Sequence, residues 1–289
     1  MPTPIYGDGD YRYQVEPDWG RGPRGVPAFG LVSMIACDAQ DRVYVFQREP
    51  DPGVRVFEPD GSLVARWGEG AFRHPHGIWI GPDQTVFCTD RDTHTVTQWT
   101  LDGKLLRTWG TPGRPGAPGK PFNEPTRAFV DTRGELFVSD GYGQHRVHRF
   151  SADGTLLNSW GEQGTGPGQF GWPVHSVIVD PRDRVLVVDR QNGRVQHFTR
   201  AGEYTGEWGD LGQPQDVYID PDQVVFIIEG NGRVTIMTLD AEVLSRWGEK
   251  GSAQGQFAAS PHSGWVDSHG DLYIGEVTTH NRFQKFRRV

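Results

Sequence analysis

Six Trp-Gly pairs divide the chain into segments of similar length: Trp19-Gly20, Trp67-Gly68, Trp109-Gly110, Trp160-Gly161, Trp208-Gly209 and Trp247-Gly248. Successive tryptophans stand 39 to 51 residues apart. That is the spacing of four-stranded propeller blades rather than of helical or leucine-rich repeats. A unit of this kind cannot bury both of its faces alone, so six of them must stack on one another.

Each segment has the same internal order: a Pro/Gly-rich entry, a short apolar strand, an Asp-containing turn, a second strand, a polar loop and two more strands. The second repeat runs HGIWIGPDQTVFCTD and then TVTQWTLDGKLLRTWG; the third runs TRAFVDTRGELFVSD and then RVHRFSADGTLLNSWG. Runs of β-branched and aromatic residues bounded by Gly, Asp and Pro predict strands. Asp60-Gly61, Asp102-Gly103 and Asp153-Gly154 predict tight hairpin turns, because Gly takes the positive φ such turns need. No stretch carries a sustained helical period. The expected fold is all-β, a six-bladed β-propeller.

The ends of the chain predict how the ring closes. The last repeat has strands near Ser263–Asp267, Asp271–Glu276 and Arg282–Arg288, one short of a blade, while Tyr11–Val15 is a single strand ahead of the first Trp-Gly. The N-terminal strand is therefore expected to complete the sixth blade, which leaves no open edge. Residues 1–289 then form a single domain, since the blades of a closed ring depend on one another.

With 29 Lys and Arg against 37 Asp and Glu, the net charge is −8. That balance argues against a nucleic-acid or anionic-membrane partner, whose affinity for proteins rests on basic charge. No apolar run is long enough to span a bilayer, and the opening MPTPIYGDGDYRYQ lacks the apolar core of a signal peptide. Cys37 and Cys88 fall on strands of different blades and are expected to pack as small apolar side chains. A cytoplasmic location is the default expectation.

The register exposes the candidate site. The second strand ends at Gln47, Asp90, Asp140, Asp189, Glu229 and Glu276 in repeats one to six, and fourteen residues earlier stand Ser33, His76, Thr126, His175, Gln215 and His262. This slot opens the innermost strand, so its side chain is expected at one rim of the central channel. Histidines fill slots two, four and six, about 120° apart in a ring of six blades, which suits a three-histidine metal site. Any one of them alone is more simply read as a partner for a neighbouring loop; all three in alternation predict metal binding.

The other histidines lack that pattern. His94, His145 and His280 recur in the loop after the second strand, where a role in holding the loop is expected, and His74, His148, His197 and His269 have no repeat partner. A second candidate layer follows the acidic position: Arg48, Arg91, Gly141, Arg190, Gly230 and Val277, with Tyr142 next to Gly141. Arginine matches a carboxylate through two parallel hydrogen bonds, so arginines at this rim point to an acidic substrate. A lone Asp-Arg pair such as Asp90-Arg91 can equally be a solvated ion pair.

The loops DGYGQHRV, DRQNGRV and EVTTHNRF resemble those of NHL repeats. The segments HPHGI, LFVSDGYGQHRV, PVHSV, VVDRQNGRVQ and SPHSG resemble the catalytic core of the peptidyl-α-hydroxyglycine α-amidating lyases, over essentially the whole chain. The resemblance implies a six-bladed propeller that holds zinc through His76, His175 and His262. It implies Tyr142 as the catalytic tyrosine of the VSDGY segment, with Arg48 in FQREP and Arg190 in VDRQNG as the functional arginines.

The implied chemistry splits an N-acyl α-hydroxyglycine into a primary amide and glyoxylate. A three-histidine zinc keeps an open position and acts as a Lewis acid. A tyrosine in water is a poor base at neutral pH, so the role implied for Tyr142 requires positive charge beside it. Arg48 and Arg190 would hold the carboxylate.

This chain also departs from the family. Ser260 stands where the family has a methionine, and Ser263 replaces an aspartate that helps hold a structural calcium, which leaves that calcium short of a ligand here. Arg127 follows Thr126 where the family typically has aspartate, and Arg91 takes a place expected to be neutral. If both reach the rim, the pocket favours a small, acidic substrate. The leading expectation is thus a zinc-dependent lyase acting at a hydroxylated carbon next to a carboxylate. A metal-dependent lactone or ester hydrolase is the second reading, although such propellers hold calcium with acids and amides. A non-catalytic NHL scaffold is the third, and it would have no use for the histidine slots or Tyr142.

Overall fold

The computed structural model describes residues 4–21, 29–258, 260–278 and 282–289. Six four-stranded antiparallel sheets, one per repeat, form a six-bladed β-propeller, and a short parallel pair (Glu162–Gln163 with Gln169–Phe170) is added in a loop. Among the described residues there is no helix, and so none long and apolar enough to cross a membrane. The innermost strands of blades 1 to 6 are Val32–Cys37, Pro75–Ile80, Pro125–Val130, Val174–Val179, Pro214–Ile219 and Pro261–Val266. In blades 1 to 5 the second, third and fourth strands follow in chain order.

Blade 6 closes as expected. Its order is Tyr13–Glu16, Phe283–Arg288, Leu272–Glu276, Pro261–Val266, with Tyr13 opposite Arg288. The N-terminal strand starts two residues later than the pattern predicts, because the N–H of Tyr11 is already donated to Asp8 O in a preceding turn. The inner strand of blade 6 starts two residues earlier, at Pro261, since in every blade the slot is the second residue of the strand rather than its threshold.

The chain divides into two compact units. One holds blades 2 to 4 (Gly70–Pro214). The other holds blades 1, 5 and 6 (Met1–Glu69 with Gln215–Val289). Within each blade burial falls from inside to outside. Inner strands such as Val32–Cys37 are buried throughout, whereas the outer strand Leu105–Trp109 is largely exposed. Apolar side chains of adjacent blades fill the space between sheets: Phe87 and Val96 of blade 2 pack with Ala128, Val130, Leu136, Val138 and Phe150 of blade 3. Each such buried side chain contributes roughly 1.5–3 kcal/mol relative to exposure.

The Trp-Gly marks now have a reason. Trp67, Trp109, Trp160, Trp208 and Trp247 each end the outer strand of blades 1 to 5. After Trp109, Trp160 and Trp247 the Gly that follows lets the chain pass close to the loop before the third strand. A Cβ on Gly110 would meet His94 O at 2.5 Å, and one on Gly161 would meet His145 O at 2.7 Å. Cys37 and Cys88 are buried and unbridged. Burial, and then neighbouring carboxylates, push both thiols well above their ordinary range.

Candidate metal centre and the tyrosine beside it

The slot residue lies at an irregularity of the inner hairpin that the sequence does not announce. In blade 2, Pro75 faces Asp90 and Gly77 faces Thr89, so His76 has no partner across the ladder. The same shift leaves out His175 in blade 4, His262 in blade 6, Thr126 in blade 3 and Ser33 in blade 1. A residue extruded from a ladder is re-aimed, which frees its side chain for other bonds.

The acid that ends the second strand holds this bulge in place. In blade 2 the Asp90 carboxylate accepts the N–H groups of Arg73 (2.6 Å), His74 (3.0 Å) and Thr93 (2.9 Å). In blade 3 Asp140 accepts from Asn123 N at 2.9 Å and from His148 Nε2 at 3.1 Å. In blade 4 Asp189 accepts from Gly171 N at 2.8 Å and Arg194 Nε at 2.8 Å. Blade 1 uses Gln47, whose Oε1 accepts Gly30 N at 2.6 Å. In each of these blades at least one tie grips the entry segment just ahead of the slot, so the register seen in the sequence is the spacing between a clamp and the residue it presents.

His76, His175 and His262 are all buried. His76 Nδ1 lies 2.8 Å from Thr126 O and His262 Nδ1 lies 2.7 Å from Ser33 O. In both cases the partner is the carbonyl of the slot residue of an adjoining blade. A carbonyl only accepts, so Nδ1 carries a hydrogen in both and Nε2 is left as the ligand atom, which is the orientation of a metal-ligating imidazole. The three histidines form a group that can hold a metal ion, with ligand atoms within 4.8 Å of one another. Three imidazoles, two of them braced through Nδ1, fit zinc or a similar transition ion better than calcium, which takes oxygen.

Within blades 2 to 4, Tyr142 stands against two of these histidines. Its hydroxyl is 3.3 Å from His76 Nε2 and 3.5 Å from His175 Nε2. Its backbone is fixed at both polar groups, with Tyr142 N donating to Glu124 O (3.2 Å) and Tyr142 O accepting Trp172 Nε1 (2.9 Å). Gly141 allows this approach: a Cβ there would lie 2.0 Å from Val174 O. The Arg91 and Arg190 guanidiniums lie over the Tyr142 ring, 5.5 and 5.9 Å from its centroid. Such cations are attracted by the ring face.

The remaining sequence candidates are placed differently. Arg48 follows the second strand of blade 1, half-buried, with its N–H on Leu31 O at 2.8 Å. Arg127, expected near the rim, is 1% exposed. Its Nη1 donates to Ser176 Oγ at 3.0 Å, and its guanidinium lies over Trp79 rather than over Tyr142. Bonding to a strand residue of blade 4 makes it part of the packing between blades. Ser263 takes up a structural bond, accepting Ile35 N at 3.1 Å.

Trp172 was not singled out by the repeat register. It is 48% exposed, packs edge-on against Tyr142 and receives the Arg190 guanidinium at 5.5 Å. The signal was a tryptophan without a following Gly, set in the entry of repeat four as GWP. His94 accepts Glu124 N on its Nδ1 at 3.1 Å, in keeping with a loop-holding role. His280 lies outside the described residues. Burial works against the charge of Asp92, but the hydrogen bond and charge of Arg91, then His74 and His94, hold its carboxyl below the usual range.

No protein-family model matches the chain. Over 227 residues it is 33% identical to NHL repeat-containing protein 3 of Homo sapiens, covering 73% of this chain and 64% of that protein. It is 34% identical over 157 residues to peptidyl-alpha-hydroxyglycine alpha-amidating lyase 1 of Drosophila melanogaster, covering 50% of this chain and 29% of that protein. The chain thus spans less than two thirds of either relative's length. A gluconolactonase from Xanthomonas campestris has a similar structure, with a TM-score of 0.66 at 16% identity over 96% of this chain and 90% of that one. At that identity the likeness is one of fold.

Proposed function

We propose that this chain, an NHL-repeat six-bladed β-propeller with amidating lyases among its homologues, is a metal-dependent lyase. Its substrate is a small acidic molecule with a carbinolamide next to a carboxylate, as in an N-acyl α-hydroxyglycine. The observation that carries this reading is the Tyr142 hydroxyl, 3.3 and 3.5 Å from two histidines that belong to a buried three-histidine group.

In the proposed reaction the C–N bond of the carbinolamide breaks, its electron pair leaves with nitrogen, and the C–O bond becomes the carbonyl of glyoxylate. The hydroxyl proton leaves oxygen and a proton is gained by nitrogen, so an amide and an oxoacid account for every atom. His76, His175 and His262 would hold zinc; when bound, the ion supplies a Lewis-acid charge that eases loss of a proton from a neighbouring hydroxyl. Tyr142 is the group placed to accept that proton at its Oη. Arg190 holds the carboxylate, Arg48 is assigned the same task, and Trp172 shields one side of the tyrosine from water.

Metal analysis and a glyoxylate assay test this reading. Protein reconstituted with zinc should retain about one ion per chain and release glyoxylate from N-acetyl-α-hydroxyglycine. Retention of zinc with hydrolysis of lactones instead would favour the hydrolase, and no retained metal would favour a scaffold.

A further inference from the structure

Arg91 differs in its bonding from Arg149, Arg194 and Arg200 of the same blades. Arg194 places Nε on Asp189, Nη1 on Glu207 and Nη2 on Gly166 O and Gln169 O. Arg149 and Arg200 are likewise engaged along the whole guanidinium, with Glu135, Asp131, Asp183 and the Arg200 carbonyl as acceptors. Arg91 donates only Nε, to Asp92 Oδ1 at 2.7 Å. Its Nη1 and Nη2 have no acceptor among the described residues, and its side chain is 30% exposed.

The position of that free edge is fixed. The Arg91 N–H is donated to His74 O at 3.1 Å, directly after Asp90, whose carboxylate clamps the same entry segment. The side chain then runs to the face of Tyr142, where Asp92 holds Nε and takes neither Nη group. Arg190 lies over the same ring. Two guanidiniums within 6 Å of the proposed catalytic phenol, in a chain of net charge −8, make a local positive site where the protein as a whole repels anions.

We propose that Arg91 sets the substrate class of this site: it receives a second carboxylate, carried at the end of the substrate's N-acyl group, on its Nη1–Nη2 edge. The proposal rests on the lyase reading above and deepens it. Arg190 engages the carboxylate beside the hydroxylated carbon, and Arg91 engages the distal one through the paired geometry that guanidinium offers and an ammonium does not. The preferred substrates are then monoamides of short dicarboxylic acids rather than long peptides.

Two measurements on the zinc-loaded protein decide the matter. The first compares kcat/KM for N-succinyl- and N-acetyl-α-hydroxyglycine in the unaltered protein, in Arg91→Gln and in Arg91→Lys. The expected preference for the succinyl compound is about tenfold or more, the low end for a hydrogen bond between charged groups. It falls to near one in Arg91→Gln, is partly kept in Arg91→Lys and shrinks as salt is raised. The second is calorimetry with succinate, glutarate and butyrate, in which the dicarboxylates should bind more tightly by a margin that Arg91→Gln removes. Turnover of both substrates with a ratio near one, or a ratio that Arg91→Gln leaves in place, overturns the proposal while leaving the lyase standing. If neither substrate is turned over the lyase reading fails, and the calorimetric margin alone then upholds or overturns the role of Arg91.

Discussion

The two ends of each inner hairpin use the same chemistry to opposite effect. At the turn between the first and second strands, Asp38, Asp131, Asp180 and Asp267 each accept two backbone N–H groups of their own turn, as in Asp180 with Arg182 N and Arg184 N at 3.0 and 2.8 Å. Those backbone N–H groups are satisfied within their own turn, and the residue three positions on takes a positive φ in all six blades. At the other end Asp90, Asp140 and Asp189 also accept backbone N–H groups, but from an entry segment 16 to 18 residues away in sequence. A bulge beside that clamp leaves one side chain out of the ladder. The proposed site lies where a carboxylate fixes a distant segment and the sheet leaves a residue unused.

The strongest way to break this contrast is to remove a slot side chain. His76→Ala should lower metal affinity by more than about 100-fold, beyond what loss of a mere supporting partner costs, and abolish turnover, while the far-ultraviolet circular dichroism stays that of a β-sheet protein. Metal content per chain after dialysis is the direct readout. Tyr142→Phe should keep the metal and lose roughly 10²–10⁴ in kcat, the range for a general acid or base; a variant with full kcat would remove Tyr142 from the mechanism.

The buried histidines of blade 4 sharpen the contrast through pH. His197, on Trp208 near the turn end, is pushed down to about 4 by burial, then by the Arg184 charge, with Asp180 opposing. The unfolded chain takes up that proton from about 6.5. Between pH 6.5 and 4 the unfolded state therefore binds more protons, so stability is full above this window and declines by up to about 3 kcal/mol on acidification through it. His197→Phe should flatten this part of the profile in urea melts at pH 4.5, 5.5 and 7. The smallest effects come from the clamps. Asp90→Ala and Asp180→Ala should each cost about 1–3 kcal/mol for buried N–H groups left unpaired, but only Asp90→Ala should also weaken metal retention. Equal effects on the metal would dissolve the distinction between the two ends.

The slot was legible because the clamp and the residue it presents keep one offset in all six repeats, an interval set by one strand, one turn and one strand. His76 and Asp90 illustrate it: neither means much alone, and their spacing places both. The bulge was not legible, since an extruded residue looks like any other member of the strand. The same blindness misplaced Arg127, one residue past the bulge, where the ladder resumes and the side chain turns into the packing between blades. Arg91 was legible as an arginine next to Asp90, but its contact with Tyr142, like that of Trp172, was not, because it joins segments whose only link is the fold.

The sheet of blade 6 pairs Tyr13 with Arg288, nearly the whole length of the chain. Closing so large a loop is entropically slow, and it cannot begin until the last strands have been synthesised. His262 lies on that sheet. Its imidazole therefore takes its position late in folding, so on the proposed reading an ion would enter an almost finished protein, and partly folded chains would offer it only His76 and His175.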